Sequence, residues 1–299
     1  MEAAPALARG HAGTARHRFF LVATAFLFST GGAAIKSTSL TGWQVASFRS
    51  GVAALVLLLA LPESRRGWSW RMVPVAVAYA ATLVLFVLAT RLTTAANAIF
   101  LQSTAPLYVL LLAPLLLDEP IRGKDLLYGA AVALGMALFF VGSEQAAATA
   151  PDPRTGKLIG LASGLAWALT VIGLRWLARA GSNNASIATV SLGNILAFLA
   201  ALPMALPVRA ATASDVAVIL YLGAVQIGLA YFLLTRAIRH VPAFEATAVL
   251  LLEPVMNPVW TWLVHRERPG TWALAGGAII LSATLVSTWA ATRASVARK

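Results

Sequence analysis

Ten apolar runs, each near the roughly 20 residues that a helix needs to cross hydrocarbon, fill most of the chain between Phe19 and Ala291. They are Phe19–Ile35, Gly42–Leu61, Met72–Ala89, Ala95–Leu117, Leu126–Gly142, Leu158–Leu177, Ile187–Leu206, Val216–Leu234, Ala243–Val264 and Trp272–Ala291. Backbone groups cannot stay unpaired in lipid, so such a chain crosses as helices or as a closed barrel, and the alternation of barrel strands is absent. The expected class is an all-α polytopic membrane protein with ten transmembrane helices. With 59% hydrophobic and 11% charged residues, the 299-residue chain has more apolar surface than a soluble core could hide, so the lipid bilayer is an expected partner.

A second constraint is an internal repeat. Shifting the sequence by 148 residues without a gap (254 − 106 = 148) brings Arg91 onto Arg239, Ala98 onto Ala246, Pro106 onto Pro254, Glu119 onto Glu267 and Gly129 onto Gly277. The linker 143–156 separates two sets of five runs, residues 19–142 and 157–291, with tails at 1–18 and 292–299. Five crossings are odd in number, so the second half runs opposite to the first, as in transporters whose solute site lies between inverted repeats. Arg16 and Arg18 before the first run resemble the start of a signal peptide. Cleavage there would leave nine helices, so an uncleaved first helix is expected.

The formal net charge of +12 is spread in ones, twos and threes between the runs, so nucleic acid is not an expected partner. Lys and Arg favour the N-terminal side of the membrane about two to one, the positive-inside pattern, which predicts that both termini are cytoplasmic and that the membrane is a bacterial-type inner membrane. There is no cysteine, and His11, His17, His240 and His265 fall in tails or at helix ends. Together with the lack of a phosphate-binding glycine loop, this predicts no enzyme, no metal, no cofactor and no ATP-driven pump. No ring of like charges recurs along a helix, which favours a carrier over an ion channel.

The two halves resemble the EamA-type repeats of the drug/metabolite transporter superfamily. The resemblance rests on LLLDEP at Leu115–Pro120, its weaker counterpart LVHRER at Leu263–Arg268, and the Phe48-Arg49 pair of the second run. Within that superfamily the chain is most similar to the bacterial YddG-like exporters of aromatic and other neutral amino acids. The resemblance implies alternating access, a cavity among helices 1–4 and 6–9, and helices 5 and 10 as outer supports. The second half departs from the pattern in having no Pro after Glu267.

Several runs carry a polar or aromatic stripe at helical spacing, which serves either helix packing or a solute. The expected substrate-binding residues are Tyr79 and Thr82 in the third run; Asn97, Phe100 and Tyr108 in the fourth; Ser163 and Trp167 in the sixth; Gln226 in the eighth; and Glu253 in the ninth. Gly160 and Gly164 form a GxxxG pair, expected either for close packing or to leave room for a ligand. Pro106 and Pro254 weaken the middle of their helices and are expected as hinges or static kinks. Glu119 and Glu267 are expected to be structural, receiving the free N–H groups of helices 5 and 10. Arg49 is expected to be structural too. As the other mid-helix charge, Glu253 is its candidate partner, the alternatives being solute or proton binding.

The expected solute is a small neutral metabolite, a neutral amino acid first. Hydrophobic drugs or cations, phosphorylated sugars and a non-transporting scaffold remain as alternatives.

Overall fold

The computed structural model describes residues 4–118, 121, 123–141, 145–179, 185–237 and 240–296, and among them there are helices and turns but no strand. Glu119, Pro120 and Arg239 lie outside the described residues. The ten helices are α1, Ala4–Ser29 continued after Thr30 by Gly31–Lys36; α2, Gly42–Ala60; α3, Met72–Leu92; α4, Ala95–Gln102 and Ala105–Leu117; and α5, Gly123–Leu138. The second half holds α6, Pro153–Arg179; α7, Ala185–Ala205; α8, Ala213–Leu220 with a π-helical stretch Tyr221–Leu229 and then Ala230–Ala237; α9, Ala243–Leu250 and Leu252–His265; and α10, Thr271–Val296.

Eight segments are long and apolar enough to cross a membrane: Arg16–Lys36, Gly42–Ala60, Met72–Leu92, Ala95–Leu117, Pro153–Arg179, Ser186–Ala205, Ala213–Ala237 and Thr271–Ala290. Asp125–Leu138 is a shorter apolar helix, and α9 is interrupted at Leu251. The chain is an all-α polytopic membrane protein. Where a tail was expected over residues 1–18, α1 already begins at Ala4.

The helices pack in a symmetric scheme. α3 lies on α6 as α8 lies on α1, α3 on α7 as α8 on α2, and α4 on α6 as α9 on α1, while α2 meets α7 and α5 meets α10. Exchanging each helix with the one five places later leaves this set unchanged. With an odd number of crossings per half, the axis relating the halves lies in the membrane plane. Glycine permits the closest approaches. A Cβ at Gly135 would lie 2.8 Å from the Gly276 carbonyl oxygen across the α5–α10 contact, and one at Gly164 2.8 Å from that of Leu101 across α6–α4.

Pro106 and Pro254 do not kink continuous helices. α4 is interrupted at Ser103–Thr104 and α9 at Leu251, so each proline falls in the first turn of a new helix, where its missing N–H leaves no bond unmade. The two interruptions match in the repeat (251 − 103 = 148).

One end of the bundle, opposite the start of α1, is tied shut by charge. Lys36 Nζ pairs with Glu267 Oε2 at 2.8 Å, both side chains at most 4% exposed, and donates to the carbonyl oxygens of Thr93, at 2.9 Å, and Thr149. Glu267 Oε1 accepts the Ala95 N–H at 2.6 Å. This corrects the expected role of Glu267: the first turn it satisfies belongs to α4, in the other half, and not to α10. Arg91 donates to the carbonyls of Ile35, Thr38 and Leu40 at 3.2, 3.0 and 2.6 Å. Asp215 accepts from the Thr38 hydroxyl at 2.6 Å and from Ser39 N–H and hydroxyl at 2.7 and 2.8 Å, holding the α1–α2 turn on the start of α8. On the linker, Asp152 accepts the Thr155 N–H at 3.1 Å, and hydrogen bonds from Thr155 hold its carboxyl below the usual carboxylate range.

At the other end the contacts among the described residues include exposed ones. Arg18 Nη2 donates to Glu245 Oε2 at 3.0 Å, and the His17 and His240 rings stack at 4.0 Å.

Candidate functional site

Between the two ends, α1, α3, α6 and α8 bring four aromatic rings together. Tyr79 on α3 donates its hydroxyl to that of Tyr231 on α8 at 2.9 Å, with the rings edge to face at 6.2 Å. Trp167 on α6 stands 6.4 Å from the Tyr79 ring, and Phe28 on α1 stands 5.4 Å from that of Tyr231. Leu57, Leu61, Ile187 and Val190 back this cluster from α2 and α7.

Polar groups continue from the rings. Ser163, one turn before Trp167, accepts from Gln102 Nε2 at 2.8 Å and donates to the Thr82 carbonyl at 3.3 Å, so α6, α4 and α3 meet there. The Thr82 hydroxyl bonds the Ala78 carbonyl of its own helix at 2.9 Å. Arg49, 2% exposed, donates from Nη2 to the Leu83 carbonyl at 3.0 Å and acts electrostatically on Tyr79. Glu253, half-buried, acts on Tyr231 with the opposite sign.

The Arg49–Glu253 pairing considered from sequence does not form: the ion pairs among the described residues are Arg18–Glu245 and Lys36–Glu267. Rings with a few hydrogen-bonding groups between inverted halves can hold a small solute that is part apolar and part polar. No group of three His, Asp or Glu stands close enough to hold a metal among the described residues.

The model of the EamA-like transporter family matches residues 17–141 and again 154–289. The chain belongs to the EamA-like transporter family. Its members are transporters, and the chain is accordingly a multi-pass membrane transporter with a small solute as its cargo. Fourteen chains of solved structures match it. One, described only as a crystal structure of a protein, is 18% identical, covers 93% of this chain and 98% of its own, and superposes with a TM-score of 0.61, a likeness of fold. No curated protein matches.

In this EamA-like transporter the sequence-expected residues divide into two groups. Tyr79, Thr82, Ser163 and Trp167 lie together. Phe100 does not join them: its ring packs 6.0 Å from Phe139 and against Gly277, toward α5 and α10. Asn97, at the first turn of α4, donates from Nδ2 to Thr93 Oγ1 at 2.9 Å, beside the charged closure. Both precede the interruption at Ser103–Thr104, and their contacts run to the start of α4 and to the α5–α10 pair, not to Trp167. Tyr108 is half-buried beyond that interruption, and Gln226 lies in the π-helical part of α8. Phe28, Gln102 and Tyr231 were missed. Gln102 alone carried a signal, as a polar side chain in an apolar run.

Proposed function

We propose that this transporter exports small neutral metabolites, neutral and aromatic amino acids first, by alternating access through the chamber of Tyr79, Ser163, Trp167 and Tyr231. The observation that carries it is the hydrogen-bonded Tyr79–Tyr231 pair flanked by Trp167 and Phe28, aromatic rings with hydroxyl groups that suit a solute part apolar and part polar. The resemblance to YddG-like exporters supports the same solute class. Phosphorylated sugars call for several cations at membrane depth. Here Lys36 is paired with Glu267, Arg91 with three carbonyls and Arg49 with the Leu83 carbonyl, so these described cations do not converge on one solute position. Export of a hydrophobic cation is the second reading, favoured by the mid-helix carboxylate of Glu253 and the aromatic rings of the cluster.

Purified protein in proteoliposomes should move leucine, methionine or phenylalanine. A preparation that moves none of them and exchanges a phosphorylated sugar overturns the amino acid assignment, and one that moves only hydrophobic cations replaces it with the second reading.

The charge asymmetry of the loops supports cytoplasmic termini in an inner membrane. The closure of Lys36 and Glu267 then faces outward. Single cysteines at Thr155 and Gly67 in the cysteine-free chain should react with a membrane-impermeant thiol reagent in whole cells at the first position only. The opposite labelling reverses the orientation.

A further inference from the structure

Asn257 on α9 is 1% exposed, and neither Oδ1 nor Nδ2 has a hydrogen-bond partner among the described residues. At membrane depth an unpaired amide is costly, and the few that folded proteins retain call for an explanation. Gln226 on α8 repeats the feature: it is 6% exposed, its Oε1 is unpaired, and its Nε2 reaches only the Phe28 carbonyl at 3.4 Å. Both amides face the same place on α1, just past its interruption at Thr30. A Cβ at Gly31 would lie 2.9 Å from Gln226 Nε2, and one at Gly32 would collide with Asn257 Oδ1. The α1 backbone therefore covers two amides without bonding them. The neighbouring hydroxyls are engaged elsewhere, Ser29 with the Phe26 carbonyl and Trp260 Nε1, and Thr30 with the Leu27 carbonyl and the Tyr221 hydroxyl. Gln226 also sits within Tyr221–Leu229, a π-helical distortion of a kind found frequently at functional sites.

We propose that Asn257, with Gln226 beside it, binds the ammonium and carboxylate end of the solute once the Gly31–Gly32 stretch of α1 moves off it. This deepens the amino acid assignment above and rests on it. A primary amide offers an acceptor and a donor side by side. An α-amino acid carries an ammonium and a carboxylate on one carbon and can engage both, with Gln226 Oε1 as a further acceptor for the ammonium. A hydrophobic cation lacks the acceptor, and a fully ionised phosphate lacks the donor. Glycine at positions 31 and 32 allows the α1 backbone to lie against the amides in the closed form. Because Lys36 and His265 hold the end of this stretch, to Glu267 and to Ala33, the site opens toward that side of the membrane.

The test is thermal unfolding of the detergent-purified full chain with phenylalanine, N-acetylphenylalanine and phenylalanine methyl ester, together with phenylalanine counterflow in proteoliposomes. The parent should be stabilised by phenylalanine and by neither derivative. Asn257→Leu should unfold at or above the parent temperature without solute, because an unbonded amide gives way to a hydrophobe of similar size. It should also lose the phenylalanine shift and raise the KM for phenylalanine about tenfold or more, as expected for a lost hydrogen bond to a charged group. Gln226→Leu should show the same signature more weakly.

An Asn257→Leu variant that keeps the parent's shift and KM, or that unfolds at a clearly lower temperature without solute, overturns the proposal. So does a parent stabilised equally by all three compounds. If Asn257→Leu does not fold, Gln226→Leu and the parent's discrimination among the compounds decide. A parent that responds to no amino acid brings down the amino acid assignment and this site with it, whereas a responding parent with unaffected variants brings down the site alone.

Discussion

Glu267→Gln is expected to destabilise the fold by about 3 to 5 kcal/mol, the cost of breaking a buried ion pair by removing one partner. Glu267 stands 2.8 Å from Lys36 Nζ, with side-chain exposures of 2% and 4%, and also accepts the first N–H of α4. A glutamine keeps that last hydrogen bond and loses the charge. Lys36 is then left with two carbonyls and no anion in a position lipid and protein shield from water. Removing both charges together, as Lys36→Met with Glu267→Leu, should recover most of the loss, because no desolvated charge remains. Thermal unfolding in detergent of Lys36→Met, Glu267→Leu and the double variant forms a cycle that isolates the pair. If Glu267→Gln unfolds within a degree of the parent, the ion pair is not what fastens α1, α4 and α9 at that end.

The cross-half character of this pair marks the limit of what the amino-acid order shows. The 148-residue register made the two-half architecture legible, because ungapped matches such as Pro106 with Pro254 are improbable in apolar sequence, and family membership and the all-helical fold agree with it. The same register placed Glu119 opposite Glu267 and said nothing of their partners. A helix-end carboxylate serves its own following helix only if that helix starts nearby. In the folded bundle the start of α4 is nearer, a fact of tertiary packing.

For a similar reason the α4 stripe of Asn97, Phe100 and Tyr108 did not remain one face. Helical spacing aligns residues only while the helix is continuous, and the break at Ser103–Thr104 resets the phase. The α3 and α6 stripes lie on unbroken helices, and Tyr79, Thr82, Ser163 and Trp167 did arrive together. The partners Tyr231 and Phe28 come from helices whose polar faces are interrupted by the π-helical stretch and by Thr30, and no periodicity crosses such breaks.

Trp167→Ala should lower phenylalanine flux by tenfold or more while leaving the protein monodisperse and close to its parent unfolding temperature. Trp167 is half-buried, makes no hydrogen bond among the described residues, and lies at the margin of the Leu57–Tyr79–Val190 cluster, meeting Tyr79 through a tilted ring contact at 6.4 Å, so its loss leaves the hydrogen bonds of the bundle in place. The face it turns to a solute is another matter. Burying an aromatic surface against an apolar side chain contributes about 1.5 to 3 kcal/mol, enough for a tenfold change or more in an affinity. If the solute lies between Trp167 and the Tyr79–Tyr231 pair, most of that is lost with alanine and partly regained with phenylalanine at the same position.

The effect should also grow with the size of the solute's side chain, phenylalanine suffering more than leucine, because the larger ring covers more of the indole. Tyr231→Phe offers the contrast. It removes the hydroxyl that accepts the Tyr79 bond but keeps the ring, so its flux should fall less than that of Trp167→Ala. Equal flux of leucine, methionine and phenylalanine in the parent and in Trp167→Ala would place the solute elsewhere in the bundle.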